Sequence, residues 1–189
     1  MLRNSPSSYG WLAIVMHWLT AVVVLSMFAV GLWMVDLNYY SEWYKTAPHY
    51  HKSVGILLAT MTVFRVFWKC RQISPQALGK NWERRSANAA HFALYTLLIC
   101  MFISGYLIST ADGRGIEVFN WFTTPSMGEF IDNQEDIAGA FHEWLAYSLI
   151  GLVVLHALAT LKHHCLNKDT TLIRMLNPLS NQQDKEKEE

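Results

Sequence analysis

The stretch HEWLAYSLIGLVVLH, residues 142–156, is an apolar segment with a histidine at each end. His142 and His156 are fourteen positions apart, close to four helical turns, so both side chains leave nearly the same side of one helix. Along the axis they are separated by roughly 21 Å, too far for both rings to bind one metal ion. Ionisable rings inside an apolar helix are functional candidates. The stretch therefore predicts two cofactor sites, stacked along one helix.

The remaining apolar residues form three more blocks, and each of the four blocks is long enough to cross a bilayer as a helix. This pattern predicts an all-α, integral membrane four-helix bundle, with one domain over residues 1–180 and a polar tail at 181–189. The predicted helices cover residues 11–35, 48–68, 87–108 and 137–161, and Ser86 is predicted to cap the third. The first block is too long for a cleavable signal peptide and is predicted to be retained.

Charge is unevenly distributed between the connections. The segments after the second and fourth blocks are basic, with Lys69, Arg71, Lys80, Arg84, Arg85, Lys162, Lys168 and Arg174. The connection at residues 109–135 is acidic, and its stretch IEVFNWFTTPSM, residues 116–127, is predicted to rest at the outer interface. Because cytoplasmic loops are enriched in Lys and Arg, both termini are predicted to be cytoplasmic. The formal net charge of zero is uninformative by itself, since it averages a basic side and an acidic one. No nucleic-acid partner is predicted, and three cysteines argue against a disulfide framework.

Four of the eight histidines fall at two depths. Successive helices alternate in direction, which places His17 and His156 toward the cytoplasmic side and His51 and His142 toward the outer side. Haem suits such pairs, because its iron takes axial imidazoles from opposite faces and its apolar ring fills a bundle interior. The chain has no C-x-x-C-H sequence, so haem would be bound without thioether links.

Other features of the blocks leave alternatives open. Gly55, Gly139 and Gly151 could open slots for a haem macrocycle or could mark ordinary helix contacts. Arg65 could bind an inner haem propionate or extend to the lipid headgroups. A di-iron or zinc site is disfavoured, since Glu143 is the only acidic residue in a predicted span and HEWLA does not complete H-E-x-x-H. Histidines that form only hydrogen bonds between helices remain an alternative.

Several motifs together resemble one known family. MHWLTA begins at residue 16, HKSVGILL at 51, HFALYTLLICMFISGYL at 91 and FHEWLAYSLIGLVVLHALATLKHHC at 141, with KDTTLIRMLNP following at 168. From about Tyr9 to Pro178 the chain resembles the prokaryotic cytochrome b561 family. The resemblance implies a multi-pass protein of the bacterial inner membrane with two non-covalent haems b. Their axial ligand pairs would be His17 with His156 and His51 with His142.

The resemblance also implies a function in electron transfer. Members pass single electrons between a periplasmic-side donor and quinone at the cytoplasmic side, and one branch is similar to superoxide oxidases that reduce ubiquinone. On this basis His91 and His163 are predicted proton donors at a quinone site, with His164 as a further candidate and His49 unliganded. The prediction is a superoxide:ubiquinone oxidoreductase or a plain electron carrier. The alternative is a cytochrome b membrane-anchor subunit that docks a redox partner subunit on the acidic outer loop.

In two respects the sequence departs from this pattern. Family members often have a basic residue shortly before the first histidine, whereas here none follows Arg3, so Arg65 or Lys162 is predicted to replace it. The acidic outer loop does not favour electrostatic attraction of superoxide, an anion. A local positive patch of Lys45, Lys52 and Arg114 is predicted to offset that charge.

Overall fold

The computed structural model describes residues 2–177 and confirms the predicted all-α membrane bundle. Its helices are α1 (Trp11–Val35), α2 (Thr46–Cys70), α3 (Asn81–Thr110) and α4 (Gln134–Cys165). All four are long and apolar enough to cross a membrane. A short 3₁₀ helix, Ile173–Met175, follows α4. The predicted tail at 181–189 lies outside the described residues.

Helix α3 begins earlier than its apolar block, so the prediction that Ser86 caps it is wrong. The carboxylate of Glu83 accepts a hydrogen bond from the backbone N–H of Lys80 at 2.8 Å, which satisfies a group that the first turn leaves without a helical partner. Hydropathy alone did not indicate this start, because the first turns of α3 are polar and extend beyond the apolar block.

The connection between α3 and α4 contains a small antiparallel hairpin that the sequence reading did not predict. Strand β1 (Ile116–Val118) pairs with β2 (Phe122–Thr124), with Ile116 opposite Thr124. The turn places Phe119 and Asn120 at φ values of 47° and 59°. This backbone conformation usually selects Gly or Asn, so a Phe-Asn turn gives only a weak hairpin signal.

The packing of the helices is the reverse of that in a water-soluble protein. Large apolar side chains point outward, with Phe92 and Trp144 both 75% exposed. Small hydroxyl residues are buried instead, including Thr20, Ser53 and Ser104. Each of these three donates to a backbone carbonyl three or four residues earlier, which satisfies the hydroxyl within its own helix. Such an exposed apolar surface requires lipid around it, and small residues allow the helices to approach closely.

Two compact units are distinguished by backbone proximity. The first unit contains the described residues up to Ala21, Met61–Phe92 and the described residues from Leu152 onward. The second unit contains Val22–Thr60 and Ala93–Gly151. Each unit therefore includes part of every long helix, and each includes one of the predicted histidine pairs.

Candidate cofactor sites

In the second unit, His51 on α2 faces His142 on α4, with ring centroids 6.4 Å apart. The Oγ of Ser104 lies 3.0 Å from Nδ1 of His142 and also donates to the carbonyl of Met101. Because the hydroxyl proton is used toward Met101, Ser104 accepts from Nδ1–H of His142. This hydrogen bond leaves Nε2 of His142 unprotonated, the form in which an imidazole binds a metal.

A glycine beside His142 leaves room for its ring. A Cβ added at Gly105 would lie 3.1 Å from Cε1 of His142, whereas one at Gly31 would make an ordinary contact at 3.6 Å from Cε1 of His51. Neither glycine was predicted from the sequence, where the small Ser104–Gly105 pair was the available signal for the first. A Cβ at the predicted Gly139 or Gly151 would meet no described atom within 4 Å, so protein contacts do not explain those glycines.

His51 has an unsatisfied polar atom. Within the part of the chain that the structure describes, its buried Nδ1 has no hydrogen-bond partner. Buried polar atoms are nearly always paired, and an unpaired one often marks the place of an ion or cofactor. This ring is therefore suited to a ligand from outside the protein.

In the first unit, the rings of His17 on α1 and His156 on α4 have centroids 6.3 Å apart. The ring centroid of His91, on α3, lies 5.2 Å from the ring centroid of His156. Nη2 of Arg65, on α2, lies 3.1 Å from Nδ1 of His17. A guanidinium only donates, so Nδ1 of His17 accepts here and the ring proton is on Nε2. The predicted inner-site residues His17, Arg65, His91 and His156 thus lie together.

The two ring pairs fit haem better than a bare metal ion. Imidazoles on opposite sides of one metal, each bonded at about 2 Å, have ring centres roughly 6 Å apart. Across residues 2–177, no group of three or more His, Cys, Asp or Glu side chains is placed to hold a metal ion by itself. Two imidazoles suffice only where other ligands come from a macrocycle, as in haem.

The structure gives the two predicted quinone residues different surroundings. His91 is exposed and lies against His156, whereas Nδ1 of His163 lies 2.6 Å from Oδ2 of Asp169. Asp169 was not predicted from the sequence, although it lies only six positions after His163, because the chain must turn back beyond α4 to bring them together. Lys162 forms a 2.6 Å salt bridge with Glu83, which engages its ammonium group. His164 is exposed in the last turn of α4.

The predicted positive patch on the outer side is partly neutralised. Nε of Arg114 donates to Oδ2 of Asp112 at 2.7 Å, and this hydrogen bond lowers the pKa of Asp112 below its ordinary value. Lys45 lines a cavity of about 470 Å³ that also contains Glu117. The other lining residues are Thr46, His49, Tyr50, Phe119, Asn120 and Trp121. The charge of Lys52 also lowers the pKa of Asp112, after the larger effect of Arg114, so acidic groups accompany all three predicted cations.

Comparison with known proteins places these sites in context. A family model described as prokaryotic cytochrome b561 matches residues 8–178. The chain is 49% identical over 179 residues to cytochrome b561 homolog 2 of Escherichia coli (strain K12), covering 94% of this chain and 95% of that protein. It is 29% identical over 171 residues to the probable superoxide oxidase CybB of Yersinia pestis, covering 89% and 95%. Cytochrome b561 homolog 1 of E. coli is 24% identical over 168 residues, covering 86% and 93%.

Proposed function

The chain belongs to the prokaryotic cytochrome b561 family, and from that premise we propose that it passes single electrons from a periplasmic-side donor to membrane quinone at the cytoplasmic side. Family membership makes it a multi-pass inner-membrane protein that carries haem b and transfers electrons in the membrane. The finer assignment rests on one observation above all, the two histidine ring pairs at 6.4 Å and 6.3 Å.

Each ring pair is proposed to hold one haem b. His51 and His142 would ligate the outer haem, and His17 and His156 the inner haem. Bound haem iron supplies one-electron chemistry, since it changes oxidation state by single electrons. The protein contributes axial ligands, and the Ser104 hydroxyl fixes the ring of His142.

Arg65 is proposed to bind a propionate of the inner haem. Its guanidinium donates to Nδ1 of His17, which needs its ring proton on Nε2. If His17 held the haem iron through Nε2, its ring proton would lie on Nδ1, which would then no longer accept from Arg65. In that state the guanidinium would be able to donate to a propionate carboxylate instead.

Superoxide is the first donor to test, because the chain is similar to a protein named probable superoxide oxidase. The outer electrostatics argue for only weak steering of this anion, since Asp112 pairs with Arg114 and Glu117 shares a cavity with Lys45. We therefore expect superoxide to react more slowly than it would at an outer surface that attracts anions. Substitutions that add positive charge to this surface should change the reaction rate more than a rise in ionic strength does.

At the cytoplasmic side, the quinone would take two electrons in single steps together with two protons. His91 and His163 are the proposed proton donors, a role suited to imidazole near neutral pH. His91 lies against the proposed iron ligand His156, which would place it where electrons leave the inner haem.

Haem content and spectra test the ligand assignment. We expect about two haems b per chain in the purified protein and about one in each of His142→Ala and His156→Ala. His49→Ala is the matched control, since it removes a histidine of α2 that is outside both ring pairs. Equal haem loss in all three variants, or full retention in His142→Ala and His156→Ala, would contradict the assignment.

Donor specificity tests the direction of transfer. Purified protein with quinone present is exposed to superoxide or to quinol, and haem reduction is followed optically. Haem reduction by superoxide followed by reoxidation by quinone supports the proposal. Reduction by quinol alone reverses the direction, and copurification with a peripheral redox subunit would favour a membrane-anchor role.

A further inference from the structure

Beyond the last turn of α4 the chain folds back on itself. Lys168 has a φ of 54°, and the backbone N–H of Asp169 donates to the carbonyl of His163 at 3.1 Å. This left-handed turn resembles the usual way of ending a helix and brings the carboxylate of Asp169 to Nδ1 of His163. Both side chains are mostly buried, with 16% of His163 and 19% of Asp169 exposed.

The carboxylate of Asp169 is held from two sides. Its Oδ1 accepts from the backbone N–H of Thr171 at 2.9 Å, while Oδ2 faces His163 at 2.6 Å. Burial raises the pKa of Asp169, but hydrogen bonds from Thr171 and His163 lower it by more, so the pKa lies below its ordinary value. Asp169 is therefore ionised at neutral pH and fixed in orientation.

An ionised carboxylate can only accept hydrogen bonds, so the contact requires a proton on Nδ1 of His163. The amide nitrogen of Asn167 also lies 3.2 Å from Nδ1, and the same amide turned over presents an oxygen that accepts from it. With Nδ1–H engaged, Nε2 is the ring nitrogen that remains to take up and release a proton.

The two hydrogen-bond partners of His163, Asn167 and Asp169, line a cavity of about 430 Å³. The cavity is lined by Gly79, Lys80, Trp82, Glu83, Lys162, Asn167 and Asp169. A Cβ at Gly79 would lie 3.1 Å from Cε1 of His163, so this glycine allows the ring to approach the cavity wall. The indole of Trp82 offers a flat surface, and Lys162 lies 5.2 Å from its ring centre. A planar ring with carbonyl oxygens, such as a quinone head group, matches this combination of aromatic and hydrogen-bonding surfaces.

We propose that Asp169 is a positioning residue that fixes His163 as the proton donor to a quinone head group bound in this cavity. The proposal rests on quinone reduction being the function. As an electron reaches the quinone, the N–H bond at Nε2 of His163 breaks and an O–H bond forms at the quinone oxygen. Neutral His163 then regains a proton from water. The charged and titratable groups around it are Lys80, Glu83, Lys162, His164, Lys168 and Asp169.

The test measures electron delivery from chemically pre-reduced protein, so that the outer donor plays no part. Haem oxidation by a short-chain ubiquinone analogue and by ferricyanide is followed by stopped flow over a range of pH. The variants are Asp169→Asn, Asp169→Glu and His163→Gln. Asp112→Asn is the control, because it makes the same chemical change in an outer-loop carboxylate that accepts from Arg114. Asparagine can still accept from Thr171, so the turn is retained in Asp169→Asn.

We expect oxidation by quinone to slow by at least about 10-fold in Asp169→Asn and by about 100-fold in His163→Gln. Asp169→Glu should restore part of the rate, whereas Asp112→Asn should match the unmodified protein. Oxidation by ferricyanide should be the same in all of them.

Two results would overturn the role of Asp169. One is an unchanged rate of oxidation by quinone in Asp169→Asn, and the other is loss of haem or of ferricyanide reactivity in that variant, which would make Asp169 structural. A different result would overturn the proposed function itself. In that case the unmodified pre-reduced protein would react with ferricyanide but not with quinone at any pH.

Discussion

At the scale of single residues, the hydroxyl of Ser104 contacts His142, a proposed iron ligand, on the side of the ring away from Nε2. Its contact with Nδ1 of His142 fixes both the proton position and the orientation of the ring. We predict that Ser104→Ala weakens haem binding at the outer site by about 10-fold to 100-fold, as found for groups that support metal-binding histidines. Haem retention during dilution and a potentiometric titration of the bound haem measure this effect.

The neighbouring Ser109 provides the comparison for this change. Its Oγ donates to the carbonyl of Gly105 at 2.8 Å within the same helix, rather than contacting the ring of His142. Ser109→Ala should leave haem retention and potential unchanged. Equal effects of the two substitutions would mean that the hydroxyl acts on α3 in general rather than on His142.

A second residue-scale prediction concerns Gly105. A methyl group at this position would lie 3.1 Å from Cε1 of His142, closer than side chains normally approach, so the ring must move. We predict that Gly105→Ala lowers haem content at the outer site while the inner site remains filled, measured as haem per chain. Gly139→Ala, on α4 where a Cβ meets open space, should retain full haem content. Lower haem content in Gly139→Ala than in Gly105→Ala would contradict the explanation from packing against His142.

At the scale of helices and strands, the sequence predicted what depends on length and period, and missed what depends on local turns. The four spans followed from uninterrupted apolar runs, and depth along alternating helices brought His51 to His142 and His17 to His156. The start of α3 and the Asp169 contact depend on hydrogen bonds at helix ends, which hydropathy does not report. The hairpin was missed because Phe119 occupies a backbone conformation that aromatic residues rarely adopt.

The attachment of this hairpin to α2 supports a third prediction. Ser53 is fully buried, and its Oγ accepts from the N–H of Phe119 at 3.1 Å while lying 3.3 Å from the carbonyl of Glu117. Ser53→Ala leaves the part-buried Phe119 N–H without this acceptor, which costs about 1 kcal/mol. We expect faster amide exchange and easier proteolysis at residues 116–124 than in the unmodified protein.

Thr60 on the same helix provides the control. Its Oγ1 donates to the carbonyl of Ile56 at 3.0 Å and is exposed, so Thr60→Ala removes a hydroxyl without detaching the hairpin. Protection of residues 116–124 should be the same in Thr60→Ala as in the unmodified protein. Unchanged protection in Ser53→Ala would show that the buried Val118 and Ile116 hold the hairpin without the serine.

At the scale of the whole molecule, hydropathy predicts that the chain lies in a membrane, whereas charge predicts which way the helices cross it. Exposed apolar side chains such as Val63, at 71%, require a lipid environment whichever way the helices run. The basic connection after α2 and the acidic connection after α3 predict the direction in which the helices cross the membrane, since Lys and Arg are enriched in cytoplasmic loops. Direction in turn decides which histidine pair faces the periplasm, so the proposed path from outer donor to quinone depends on it.

Cysteine accessibility tests this orientation. Cys70 and Cys165 are exposed and unpaired at the ends of α2 and α4, both beside the basic segments. We predict that a membrane-impermeant maleimide labels neither in cells with a permeabilised outer membrane, and labels both once the inner membrane is opened. Asp132→Cys, at an exposed position in the acidic connection and in a chain without its own cysteines, should be labelled before opening. The reverse pattern would place His17 and His156 on the periplasmic side, and the electron path from donor to quinone would then have to run the other way through the same four histidines.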